Sequence, residues 1–189
     1  MTAERAYHHG DLRRAVLTAA LDVIAAEGPA AVSLRDLARR AGVSHAAPAH
    51  HFGDRAGLLT AVAAEGHALL SDALGETEDL RDLGVRYVRF AREHPAHFQV
   101  MFRPELLRMD DPGLLAARER TGDRLRRAVA GNGDDPALGF MAAWSMAHGF
   151  ATLLLSRNLD GLLDGREPEA VFRALAQEMP RLAGDGAEG

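Results

Sequence analysis

Apolar residues recur every three or four positions along almost the whole chain, the spacing of an amphipathic helix. Leu12, Val16, Ala20 and Val23 predict a first helix from Leu12 to Glu27, with Asp11 as its N-cap and Gly28 as its stop. Ser33-Leu34-Arg35-Asp36 resembles a capping box and opens a short helix with Leu34, Leu37 and Ala38 inward, ending near Ala41-Gly42. Ser44 caps another short helix up to about His51. Asp54 caps a long one through Leu58, Leu59, Val62, Leu69 and Leu70, stopping near Gly75. Leu80, Leu83, Tyr87 and Phe90 mark one face of the next helix, which His94-Pro95 breaks. A short segment from Ala96 to Phe102 ends at Pro104. Asp111-Pro112 and Asp135-Pro136 each read as an N-cap followed by proline in the first turn, and the second opens a strongly apolar helix to about Arg157. Gly161 and Gly165 predict a loop, and Pro168 starts a last helix carrying Val171, Phe172, Leu175 and Met179. No run of alternating β-branched residues appears. The expected fold class is all-α with about nine helices.

Composition narrows the function classes. The 189 residues are 47% hydrophobic and 26% charged, enough to bury a core and unlike a disordered chain. The absence of cysteine excludes a disulfide frame and a thiolate zinc site. The longest apolar run, Phe150 to Leu155, is far below the roughly 20 residues of a membrane span. Met1 to Arg5 has no apolar stretch behind it, so no secretory signal is expected. A cytoplasmic protein without a membrane partner is the expectation. Net charge is −5, and all 22 basic residues are arginine. Residues 1–55 hold seven Arg against six acids, whereas residues 56–189 hold fifteen against twenty-one. The chain has a neutral-to-basic head and an acidic body.

Residues 33–52 carry the chemistry. Two short helices are joined by a tight turn around Gly42, where a left-handed backbone is expected. Such a pair is either an ordinary helical hairpin or a helix-turn-helix, whose second helix enters the major groove. The second helix favours the latter: Ser44, His45, His50 and His51 are small or planar hydrogen-bonding groups, and no carboxylate occurs from Ser44 to Gly53.

This segment resembles the tetracycline-repressor-like bacterial transcription regulators. The resemblance rests on Leu34-Arg35-Asp36-Leu37-Ala38, Gly42-Val43-Ser44, His51-Phe52, Arg55 and Leu58-Leu59, and covers roughly residues 8–60. It implies a helix-turn-helix head over 1–55, a ligand-binding and dimerisation body over 56–184, and a disordered tail over 185–189. It assigns DNA contact to Ser33, Arg35, Ser44, His45, Ala46, Ala47, His50, His51 and Arg55. Three positions depart from the pattern. Ala49 stands where an aromatic is usual, Pro48 falls inside the recognition helix, and Arg55 replaces a lysine. The body resembles a subgroup with a Trp-x-x-x-His-Gly signature, here Trp144 to Gly149. Trp144 and His148, four apart, share a helix face. They form either a pocket wall or ordinary core. With Phe98, Met101, Phe102 and Met141 they are candidates for an apolar ligand pocket. Phe150, Leu154, Phe172, Leu175 and Met179 are candidates for the dimer interface.

Other constellations are weaker. His8-His9 and His50-His51 are adjacent and do not share a helix face, and His94 and His97 lack a third ligand. No metal or cofactor is expected, and no nucleophile–base motif points to an enzyme. The expected function is a homodimeric regulator, a repressor released from a palindromic double-stranded operator by a small apolar effector. A helical small-molecule enzyme, or an interaction module without DNA binding, is the alternative.

Overall fold

The computed structural model describes residues 3–77, 79–129 and 135–184, and side chains over 12–77, 79–128 and 135–178. About 80% is helical, with no strand among the described residues. Ten α-helices are present among them: α1 (Ala3–Glu27), α2 (Leu34–Arg40), α3 (Ala46–Phe52), α4 (Arg55–Leu74), α5 (Leu80–Glu93), α6 (Pro95–Met101), α7 (Pro112–Val129), α8 (Pro136–Leu155), α9 (Asp160–Leu163) and α10 (Pro168–Gly184). The helix beyond the nine expected is α9, a single turn where glycines predicted a loop. Leu162 and Leu163 both donate to the Leu159 carbonyl, and left-handed Asp164 and Gly165 end it.

Several caps fall where the sequence placed them. Asp54 Oδ1 accepts from Gly57 N, Asp111 Oδ1 from Leu114 N, and Asp135 Oδ1 from Ala137 N and Leu138 N. Each satisfies amides that a helix start leaves without partners. Others do not. Asp11 lies within α1, so it is no N-cap. Ser33 occupies the N-cap position of α2 but makes no side-chain cap bond. Asp36 turns to Arg39 and Arg40 instead of reaching back, so no capping box forms. His45, not Ser44, holds the N-cap position of α3.

The chain divides into two compact units. The first comprises residues 1–68 and 94–118, the second residues 69–93 and 119–189. Core of the first unit includes Val16, Ile24, Leu37, Phe52, Leu58 and Val100, from α1 to α6. In the second, α5 packs on α8 and α10. Tyr87, Phe90 and Phe172 are buried there, and the Phe150 and Phe172 rings meet edge to face with centroids 5.4 Å apart.

One helix departs from the expectation that apolar runs are too short for a membrane. The 20 residues of α8 contain no Asp, Glu, Lys or Arg, reach a mean hydropathy of 1.4, and are long and apolar enough to cross one. Counting unbroken apolar runs misses this, because a helix averages over Ser145, His148 and Thr152. Only 17% of its most apolar stretch is buried.

Candidate nucleic-acid interface and aromatic site

The turn between α2 and α3 is built on Gly42, at φ 66°, a left-handed conformation that L side chains adopt at a cost. Gly42 N donates to Arg39 O and Val43 N to Ala38 O, which closes the C-terminus of α2. Beyond the turn, α3 buries Pro48 and Phe52 in the core of the first unit and exposes Ala46, Ala49 and His50. Ser44 and His45 are also exposed, whereas Ala47 and His51 are half-buried. Pro48 departs from the family pattern by falling inside this helix. It is the third residue of α3, where the missing N–H has no intrahelical acceptor, and its ring fills core. Ser44 and His45 therefore stand exposed and free of acids at an open helix N-terminus, whose dipole favours anions, and His50 is exposed in the last turn of the same helix.

The arginines of this unit are unequal. Arg39 and Arg40 are hydrogen-bonded to Asp36, and Arg40 also lies 3.6 Å from Glu27. Those bonds hold the Asp36 carboxyl below its usual range. Arg13 lies over the Phe52 ring, 5.6 Å from its centroid. Arg55, expected to face DNA, is half-buried and donates Nη2 to Pro29 O at 2.8 Å, so one edge of its guanidinium straps the head together. Arg35 is exposed, with no hydrogen bond or ion pair among the described residues.

The six expected pocket residues are divided. Phe98, Met101 and Phe102 lie in the first unit, on α6 and at its C-terminal end, with Met101 over Gly66 of α4. Trp144 and His148 lie in the second unit, where His148 Nδ1 is 2.9 Å from Tyr87 Oη. Burial drives the Tyr87 hydroxyl up, opposed by a hydrogen bond from Trp144, whose only donor is Nε1–H. Burial also drives the His148 imidazole down, so its neutral form is favoured. Trp144 is 38% exposed and stacks on Phe140 at 6.1 Å. Beneath it is a cavity of about 30 Å³ bordered by Leu80, Leu83, Tyr87, Leu125 and Phe140. That volume holds one water, against roughly 300–1,000 Å³ for a small-molecule site. Met141 is exposed.

Of the expected dimer residues, Phe150 and Phe172 are core rather than surface. Phe172 is 1% exposed and its ring presses against Gly84 of α5. Leu154 is half-buried, Leu175 is 45% exposed, and the Met179 side chain lies outside the described residues. The exposed large apolar residues of α8 are instead Leu138, Met141, Trp144 and Leu153.

Two histidines are buried: His67 escaped the sequence reading, and His97 figured there only as half of a weak metal-ligand pair. His67 on α4 and His97 on α6 are both held neutral, with pKa lowered to about 4. Burial is the main cause for each, aided by Arg118 at His67 and by His94 at His97. The one signal in the sequence was their place among apolar neighbours. Among the described residues, no three His, Cys, Asp or Glu gather to hold a metal.

Comparison with known proteins places this geometry in a family. Residues 16–62 match the model of bacterial regulatory proteins of the tetR family, and residues 80–179 match the tetracycline repressor-like C-terminal domain. No curated protein matches the chain. Among solved structures, a Rhodococcus sp. RHA1 protein of unknown function is 33% identical, covering 90% of this chain and 94% of its own, with TM-score 0.73. The TetR family transcriptional regulator PfmR from Thermus thermophilus is 26% identical, covering 88% and 97%, with TM-score 0.63. The fold also resembles AibR, solved with isovaleryl coenzyme A and operator DNA, at 18% identity, 89% and 97% coverage and TM-score 0.64. The chain belongs to the tetR family of bacterial transcriptional regulators.

Proposed function

We propose that this regulator is a homodimeric repressor, acting in the cytoplasm and not an enzyme, that binds a palindromic operator through residues 1–55. The observation that carries this reading is the exposed, acid-free N-terminal turn of α3 on a helix-turn-helix frame. Ser44, His45, Ala46, Ala47 and His50 meet base edges, His51 supports them, and Ser33 and Arg35 meet phosphate at the start of α2. Residues 56–184 bind the effector and the second copy. The Trp144–His148–Gly149 run supports membership of the Trp-x-x-x-His-Gly subgroup, and the Tyr87–His148 pair supplies polar groups to an otherwise apolar site. The effector is small and mostly apolar and opens the cavity beneath Trp144. AibR, crystallised with a ligand and with operator DNA, supports the combination of the two activities in one such fold. Release follows if the effector prefers the state that does not bind DNA.

The test uses a duplex selected by the full-length protein from a random-sequence pool. Arg35→Ala should weaken all sequences alike and flatten the slope of log K against log salt by about one unit. His45→Ala should change sequence preference instead. Failure to select any duplex, or an unchanged salt slope in Arg35→Ala with unchanged affinity, refutes the assignment.

A further inference from the structure

Residues 102–111 connect α6 to α7 and reach the turn that joins the recognition helix to α4. Leu106 and Leu107 pack against the core of the first unit, which anchors the segment. Beside them, Arg108 N donates to Thr60 Oγ1 at 2.9 Å, and that hydroxyl donates to Ala56 O at 2.7 Å, in the first turn of α4. The Arg108 side chain continues along the same surface. Its Nη2 lies 2.9 Å from Asp54 Oδ2. Asp54 thus serves twice, since its Oδ1 caps α4 through Gly57 N. Gly53 leaves room for the guanidinium, since a Cβ there would lie 3.3 Å from Nη2, and Gly57, which a Cβ would drive against the Phe52 carbonyl at 2.0 Å, lies beside Nη1. Gly53 ends α3 at φ 77°, ψ −73°, outside the helical region. A guanidinium from a distant segment therefore lies across the joint between α3 and α4.

We propose that Arg108 is a positioning residue for DNA recognition: it sets the angle between α3 and α4. The proposal rests on the DNA-binding reading above. Both partners of the ion pair are exposed, and exposed pairs add little to stability. What this pair supplies is geometry, because α3 has only seven residues and ends at a glycine. Arg108 acts without touching DNA, so its loss leaves the electrostatics of binding unchanged.

The experiment compares full-length Arg108→Ala, Asp54→Ser and the double variant on the duplex selected by the native protein. Serine retains the cap on α4 but removes the carboxylate. Each single variant should bind about fivefold more weakly with an unchanged salt slope. Tm should fall by no more than about 3 °C. The double variant should bind no more weakly than the weaker single one, because both remove one interaction. Arg108→Lys should recover part of the affinity. Arg108→Ala affinity within twofold of native overturns the proposal. So does a slope flattened by about one unit, which marks a phosphate contact. Additive losses, or a fall in Tm that accounts for lost binding in both single variants, also overturn it. If the native protein selects no duplex, the DNA-binding reading fails and takes the proposal with it, an outcome separate from any behaviour of the variants.

Discussion

Two imidazoles show what burial does to a single side chain. His67 and His97 have folded pKa values of about 4 against 6.5 when unperturbed. Between those values the unfolded chain binds more protons than the folded one, so stability rises with pH. Their contribution is complete above about pH 6.5 and is lost as pH falls toward 4. Each group can supply a slope of up to about 1.4 kcal/mol per pH unit in that window. Arg118 disfavours the cation at His67 and a backbone hydrogen bond with Met101 favours it, while at His97 the His94 ring disfavours it and Glu65 Oε1 stands 4.0 Å from Nε2. Asp36 and Asp54 are also lowered, but because hydrogen bonds favour their charged form, and they lose their contribution only in stronger acid. Thermal melts from pH 7 to 5 should therefore show a falling Tm, and His67→Gln combined with His97→Gln should flatten that dependence. An equal slope in the double variant would show that the two rings are not the groups titrating.

At the scale of elements, glycine sets how closely helices approach. A Cβ on Gly84 of α5 would lie 2.5 Å from Phe172 Cε1 and 2.9 Å from Cζ, so the ring of α10 packs directly on helix backbone. Alanine in mid-helix normally gains about 0.5–1 kcal/mol over glycine. Overpacking a core costs about 1–3 kcal/mol, and here it outweighs the gain, because the obstacle is an aromatic ring held between α5 and α8. Gly84→Ala should lower Tm by about 2–4 °C for each kcal/mol lost. The penalty should shrink in a Phe172→Leu background, since the two changes relieve one contact. A penalty identical in both backgrounds would mean that α5 and α10 are not in register as described. The recognition helix shows the complementary case: Pro48 is tolerated because it falls in the first turn, where no ladder bond is lost.

For the whole molecule, the exposed apolar residues mark where the second copy of the proposed dimer would attach. Leu153 of α8 is 46% exposed and Leu175 of α10 is 45% exposed. An uncharged helix such as α8, mostly unburied within one chain, needs another surface to cover it. We expect Leu153→Arg and Leu175→Arg each to cost roughly 2 kcal/mol or more of association. That is about thirtyfold in the dimer dissociation constant. Light scattering should show monomers, and operator affinity should fall with the dimer, because two half-sites one turn apart need two heads. Phe172→Asp is the wrong probe, since it would place a charge in the core of the second unit and unfold it. Variants that stay dimeric would exclude this face.

Local features were readable from the chain alone: nine of the ten helices, the caps at Asp54, Asp111 and Asp135, the Gly42 turn and the acid-free surface of α3. Each depends on residues within a few positions of one another, so periodicity and capping chemistry suffice. Tertiary structure decided the rest. Arg55 is drawn to a carbonyl 26 residues away at Pro29, and Tyr87 to His148 across 61 positions. Phe172 becomes core because Gly84 leaves room for its ring. Arg108 meets the recognition helix only because Leu106 and Leu107 anchor its segment. Such pairings are set by how helices pack. A helical face states that a residue will be covered, and only packing determines whether its own unit, a ligand or a second copy covers it.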